Sequence, residues 1–164
     1  MPKPTTYATP ICLGLTILAA IGLIIGWVNH SVILILLFAL PAVVYEIYRT
    51  EGESTRWASW GLLAVIILEI FFIWRNVSFD LASYFNSTEQ YIDGYLVPLG
   101  DIKVIGPLII AVLAVILFFR TYGKYTKWLA VIIFISALAA VFILKPDIFK
   151  TLLPAMIQQG LYRL

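Results

Sequence analysis

Charged side chains are missing from long stretches of this sequence, and none occurs between Lys3 and Glu46. They make up 12% of the 164 residues, while 62% are hydrophobic. A soluble domain carries about 25% charged residues, and a soluble fold with the present balance could not cover its surface with polar groups. Lipid is therefore the expected solvent for most of the chain. Cysteine is nearly absent as well. The single Cys12 lies in an apolar run, which excludes an internal disulfide and a cysteine-rich metal site. His30 is the only histidine, so bis-histidine haem ligation cannot be built from one chain. A zinc or copper site at His30 would need partners from Asp80, Glu89, Asp93 or Asp101. A lone histidine in a turn is more often a polar turn residue. The net charge of +2, with no Lys/Arg-rich run, argues against nucleic-acid binding. There is no Gly-rich phosphate loop, no Ser/His/Asp set and no metalloprotease spacing. The chain is expected not to be an enzyme by itself, and no residue pattern names a cofactor.

Long apolar runs are what the sequence has instead. A membrane span needs about 20 largely apolar residues, and five such runs occur, at about 8–28, 32–48, 57–74, 103–119 and 128–144. They are continuous rather than alternating, which excludes a β-barrel, and helices satisfy their own backbone groups in lipid. The expected fold class is all-α: one polytopic membrane domain over residues 1–164, with no internal repeat. The lone Lys3 and the long first run do not match a cleavable signal. All five tryptophans, Trp27, Trp57, Trp60, Trp74 and Trp128, fall within about one turn of a span end, the headgroup level that amphipathic rings prefer. Between spans, 29–31 reads as a tight polar turn, 49–56 as a solvated loop and 121–127 as a short basic loop. Pro41 should kink the second span, and Pro107 reads as a first-turn proline whose missing N–H costs nothing.

Five spans place the termini on opposite sides. With the N-terminus inside, six cations lie on the cytoplasmic side and five outside, nearly a tie. Arg120, Lys124 and Lys127 crowd one short loop without an acid and decide for a cytoplasmic N-terminus and an outer C-terminus. The expected location is the cell membrane. The chain has three asparagines, Asn29, Asn76 and Asn86, and each heads an Asn-x-Ser/Thr sequon on the outer side. Asn29 and Asn76 lie too close to lipid for a glycosyltransferase, which leaves Asn86 as the candidate acceptor.

The outer segment 75–102 and the C-terminal stretch carry amphipathic patterns. Residues 78–94 read as a helix capped by Ser78 and stopped by Gly94, with Leu81, Tyr84, Phe85, Tyr91 and Ile92 broadly on one face. Residues 147–159 read as an amphipathic helix, its apolar stripe including Phe149, Leu152 and Met156, bent at Pro154.

Glu69 is the sharpest polar feature, expected close to mid-membrane. An isolated ionised carboxylate there costs at least about 2.5–3.5 kcal/mol. It must be protonated, paired across a helix contact (Ser136 or Thr16 would serve) or exposed to water. A helix contact is favoured over an ion relay because no second ionisable group is expected at that depth. Glu46 is expected to pair with Arg49 at the inner interface. Gly22 with Gly26, Ser136 with Ala140, and Ala58 with Gly61 and Ala64 are small-residue seams that let helices approach closely. Together these features predict a non-catalytic accessory or structural subunit of a larger membrane complex, with an oxidoreductase of respiratory or monooxygenase type as the expected host. Its partners would be membrane lipids and other subunits, reached through helix faces. The competing expectation is a small proton- or cation-coupled transporter or channel using Glu69.

Overall fold

The computed structural model describes residues 7–50, 52–77, 89–92, 95–98 and 102–146. Five helices dominate it: α1 (Ala8–Val28), α2 (Val32–Arg49), α3 (Glu53–Trp74), α4 (Ile102–Arg120) and α5 (Lys124–Leu144). All five are long and apolar enough to cross a membrane. A two-stranded antiparallel hairpin, β1 (Glu89–Ile92) and β2 (Tyr95–Pro98), lies between α3 and α4 in sequence.

The first two helices have the expected bounds to within a residue, because Asn29, His30 and Ser31 do form a tight turn. His30 adopts a left-handed φ of 49°, and the Ser31 N–H returns to the Gly26 carbonyl at 2.9 Å. Two expected loops are shorter than the apolar runs suggest. α3 begins at Glu53, and Thr50 and Thr55 are buried rather than solvated. α5 begins at Lys124, where Thr126 Oγ1 donates to the Gly123 carbonyl at 2.7 Å. Hydropathy locates the apolar stretch of a helix but not its polar first turn, so it places both starts too late. Pro107 is also displaced from its expected role. It is the sixth residue of α4, where its absent N–H removes a bond to the Lys103 carbonyl. α2 remains helical through Pro41.

Residues 89–92 and 95–98 contradict the expected helix over 78–94. Their register pairs Glu89 with Pro98, Gln90 with Val97, Tyr91 with Leu96 and Ile92 with Tyr95. Tyr, Ile and Val favour strands, and Asp93-Gly94 between two apolar runs is a hairpin signal stronger than the helix stop assigned to Gly94. The rest of that segment, and the amphipathic stretch 147–159, lie outside the described residues.

The helices form a ring in chain order, α5 packing against α1 to close it, and α2 and α5 also touch across it. That diagonal contact fills the centre with Leu36, Ala42 and Val43 of α2 and Leu129, Ile133 and Ala137 of α5. α1 and α5 run parallel, as three matched contacts show. Thr9 and Tyr125 share a hydroxyl hydrogen bond of 2.9 Å, Trp128 Nε1–H donates to Thr16 Oγ1 at 3.1 Å, and Trp27 stacks on Phe142 at 5.1 Å. α1 and α2 approach through the predicted glycine seam: a methyl group on Gly22 would overlap Phe38, and one on Gly26 would overlap Ile35. Ser136 and Ala140 are buried on α5 as expected.

Candidate functional site

Eight polar or charged residues are buried among those described, and two of them are carboxylic acids, Glu46 and Glu69. They lie towards opposite ends of the bundle, and each is built differently.

Glu46 is in the last turn of α2 and is fully buried. The chain leaves α2 at Thr50, which is extended, and turns at Gly52, whose φ of 117° is readily adopted only by glycine. That turn brings the start of α3 back alongside Glu46. The Thr50 hydroxyl donates to Glu46 Oε1, and Ser59 Oγ lies 3.4 Å from Thr50 Oγ1 and 3.0 Å from the Thr55 carbonyl it also faces. Ser59 is 0% exposed. The second carboxyl oxygen, Glu46 Oε2, is buried and has no hydrogen bond among the described residues. The expected pairing with Arg49 is not made. The Arg49 guanidinium lies over the Tyr125 ring, 4.9 Å from its centroid, while the carboxyl turns into the α2–α3 contact. A helical offset of three residues permits the ion pair, but the tight α2–α3 turn supplies the hydroxyls at closer quarters.

Glu69 is 2% exposed and sits against α4. A Cβ on Gly106 would overlap Glu69 Oε2 and Cδ, so the carboxyl occupies the space that a side chain at 106 would fill. The polar partners expected for it are engaged elsewhere. Ser136 Oγ donates to the Ile132 carbonyl at 2.9 Å, and Thr16 Oγ1 donates to the Cys12 carbonyl at 2.7 Å. Glu69 also lies off the centre of its helix, five residues before its last residue Trp74, or about 7.5 Å along the axis. Gly106 is the residue that sequence reasoning missed. It stands in the pair Gly106-Pro107, and a glycine beside a helix proline carries no spacing signal for a helix contact.

The third predicted seam does not close among the described residues. Ala64 is exposed, and nothing lies within 4 Å of a Cβ built on Gly61. The buried side of α3 is instead the stripe Ser59, Leu62, Ile66 and Glu69. His30 is exposed in the α1–α2 turn, and the carboxylates considered as its metal partners have no described side chains. Asn86 also lies outside the described residues. Asn76 accepts a hydrogen bond from Lys103 Nζ at 2.8 Å, and Asn29 Nδ2 donates to the Ile25 carbonyl at 2.8 Å. No protein-family model, curated protein or solved structure matches this chain.

Proposed function

We propose that this chain is an integral membrane subunit that acts by packing its helix faces against other subunits, with no chemistry of its own. Its polarity supports insertion, because the outward faces are apolar and the two acids described, Glu46 and Glu69, are inside. Ile17, Ile24, Leu37, Ile67, Val112 and Ile135 are exposed, whereas Glu46, Ser59, Glu69 and Ser136 are buried. Water would reverse that distribution, whereas lipid requires it. Trp57 and Trp74, 76% and 75% exposed, mark the two ends of α3 at the depth where indole rings prefer the interface. The proposed orientation keeps the N-terminus cytoplasmic and the C-terminus outside, in the cell membrane, on the strength of Arg120, Lys124 and Lys127 at the α4–α5 turn. Cysteines placed at Thr88 and Gly123, in a Cys12→Ser background, should be labelled from opposite sides, Thr88 from outside. Labelling of both from one side would refute the orientation and the span count together.

The observation that carries the subunit reading is the open seam on α3. The glycines at 22, 26 and 106 face atoms of this chain, whereas Gly14 and Gly61 meet none within 4 Å among the described residues. Of these two, Gly61 has small residues at helical spacing on both sides, Ala58 and Ala64. Small residues are an unfavourable choice for a face meant only for lipid, since they forgo dispersion contacts, but they let a second helix backbone come close. Gly61→Leu should leave the bundle folded, because space is available, and should displace a partner helix. In native gels of mild-detergent membrane extracts, the wild type should run in a larger complex and Gly61→Leu should run apart from it. A wild-type chain that migrates alone, or a variant that stays in the complex, counts against the proposal. The respiratory or monooxygenase host expected from the sequence enters only as the first complex to probe.

A further inference from the structure

We propose that Glu46, Thr50 and Ser59 form a binding site for one sodium ion at the α2–α3 end of the bundle. The site goes beyond the subunit reading and is independent of it.

Among the described residues, two hydroxyl groups stand next to the carboxyl, those of Thr50 and Ser59. Thr50 gives its hydrogen to Glu46 Oε1, and the Ser59 hydrogen can be given to the Thr55 carbonyl or to Thr50 Oγ1, but not to both at once. Glu46 Oε2 is buried and has no hydrogen bond among the described residues. A buried carboxyl oxygen in that position is served either by a proton of its own or by a positive centre. Arg49 does not supply it, since its guanidinium is over Tyr125.

The same atoms are the donor set of a hard cation. Glu46 Oε1, the hydroxyl oxygens of Thr50 and Ser59 and the Thr55 carbonyl follow one another at hydrogen-bond distance, with Glu46 Oε2 on the same carboxyl and no nitrogen or sulfur in these contacts. The one carboxylate described at the site neutralises one positive charge. A monovalent ion therefore leaves the buried site neutral, whereas calcium or magnesium would leave an uncompensated charge in a low-dielectric interior. The oxygen spacings of 3.4 Å or less are short, which suits sodium better than the larger potassium ion. Thr50 is 5% exposed and lies two residues from the exposed Gly52, so the ion has a short way in through the turn. Two helices and the turn between them contribute ligands, so an ion here would also hold α2 against α3.

Binding of ²²Na⁺ to the purified full-length chain in detergent tests the site, with choline chloride holding ionic strength constant. The wild type should show saturable binding that equimolar potassium does not displace. Glu46→Gln should abolish it, and Ser59→Ala and Thr50→Val should each weaken it about tenfold, the effect of losing one ligand contact of about 1.4 kcal/mol. Glu69→Gln, at the far end of α3, should bind as the wild type does. Should Glu46→Gln fail to fold, Ser59→Ala, which removes one oxygen atom, still decides the matter. The absence of saturable binding, equal displacement by potassium, or binding unaffected by Ser59→Ala would each overturn the site and show that Glu46 is simply held protonated. Complex assembly is read separately through Gly61→Leu, so failure of one proposal leaves the other standing.

Discussion

The two buried acids differ in the range of sequence that builds their surroundings. Glu46 meets residues close to it in the chain: Thr50 lies one helical turn on, and Ser59 comes back through a tight turn. Glu69 meets Gly106 on a different helix, across the whole outer segment. At the first site the fold brings a carboxyl to hydroxyls. At the second it brings a carboxyl into the space left by an absent side chain. The same residue type at similar burial can thus be placed beside hydroxyls from a nearby turn or beside a glycine of a distant helix. The first arrangement is sensitive to losing an atom and the second to gaining one.

Gly106→Leu should show the largest effect, because the added side chain and the Glu69 carboxyl cannot share one volume. Over-packing of this kind costs about 1–3 kcal/mol, at times more, and would appear as a lowered unfolding temperature in detergent. A variant that melts with the wild type would show that Glu69 swings aside freely and that the contact with α4 is incidental. The next effect is at Glu69 itself. Glu69→Gln keeps shape and polarity, so assembly and stability should survive, whereas Glu69→Leu removes the polar contacts of the carboxyl and should cost about 1–3 kcal/mol. Loss of an ion flux in vesicles with Glu69→Gln, in a protein that still assembles, would instead favour the transporter reading. Without added sodium, Ser59→Ala should cost about 1 kcal/mol, a single hydrogen bond's worth. A loss as great as that of Gly106→Leu would mean the hydroxyl network holds α2 to α3 by itself. The smallest change should be Gly61→Ala. Alanine is favoured over glycine inside a helix by roughly 0.5–1 kcal/mol, and no atom lies in its way, so the isolated chain should melt slightly higher. The same substitution at Gly22 should lower the melting temperature, because Phe38 fills that space through atoms close to its backbone.

Much of the helical architecture is legible in the amino-acid sequence. The apolar run of α1 ends at Asn29 and His30 because polar turn residues interrupt it, and the Gly22–Gly26 seam is a spacing that any helix would display on one face. The misread features share a different origin. Glu46 has Arg49 as its obvious neighbour, but the turn at Gly52 offers it Thr50 and Ser59. Serines and threonines are available to Glu69 by composition, yet Ser136 and Thr16 satisfy themselves on their own helices' carbonyls. Tyr91 and Ile92 suit a helix face or a strand equally well, and only pairing with Leu96 and Tyr95 decides between the two.

Sequence alone determined that five long helices exist and roughly where their apolar stretches lie, because a helix in an apolar run satisfies its backbone through bonds four residues apart. Tertiary structure decided which small residues became seams, with Gly106 closed against an acid and Gly61 left open. It also decided which carboxyl met hydroxyls. These outcomes depend on the rotation and pairing of whole helices, which no local spacing encodes, because every helix in this chain presents apolar surface on several sides and any of them could have been turned inward.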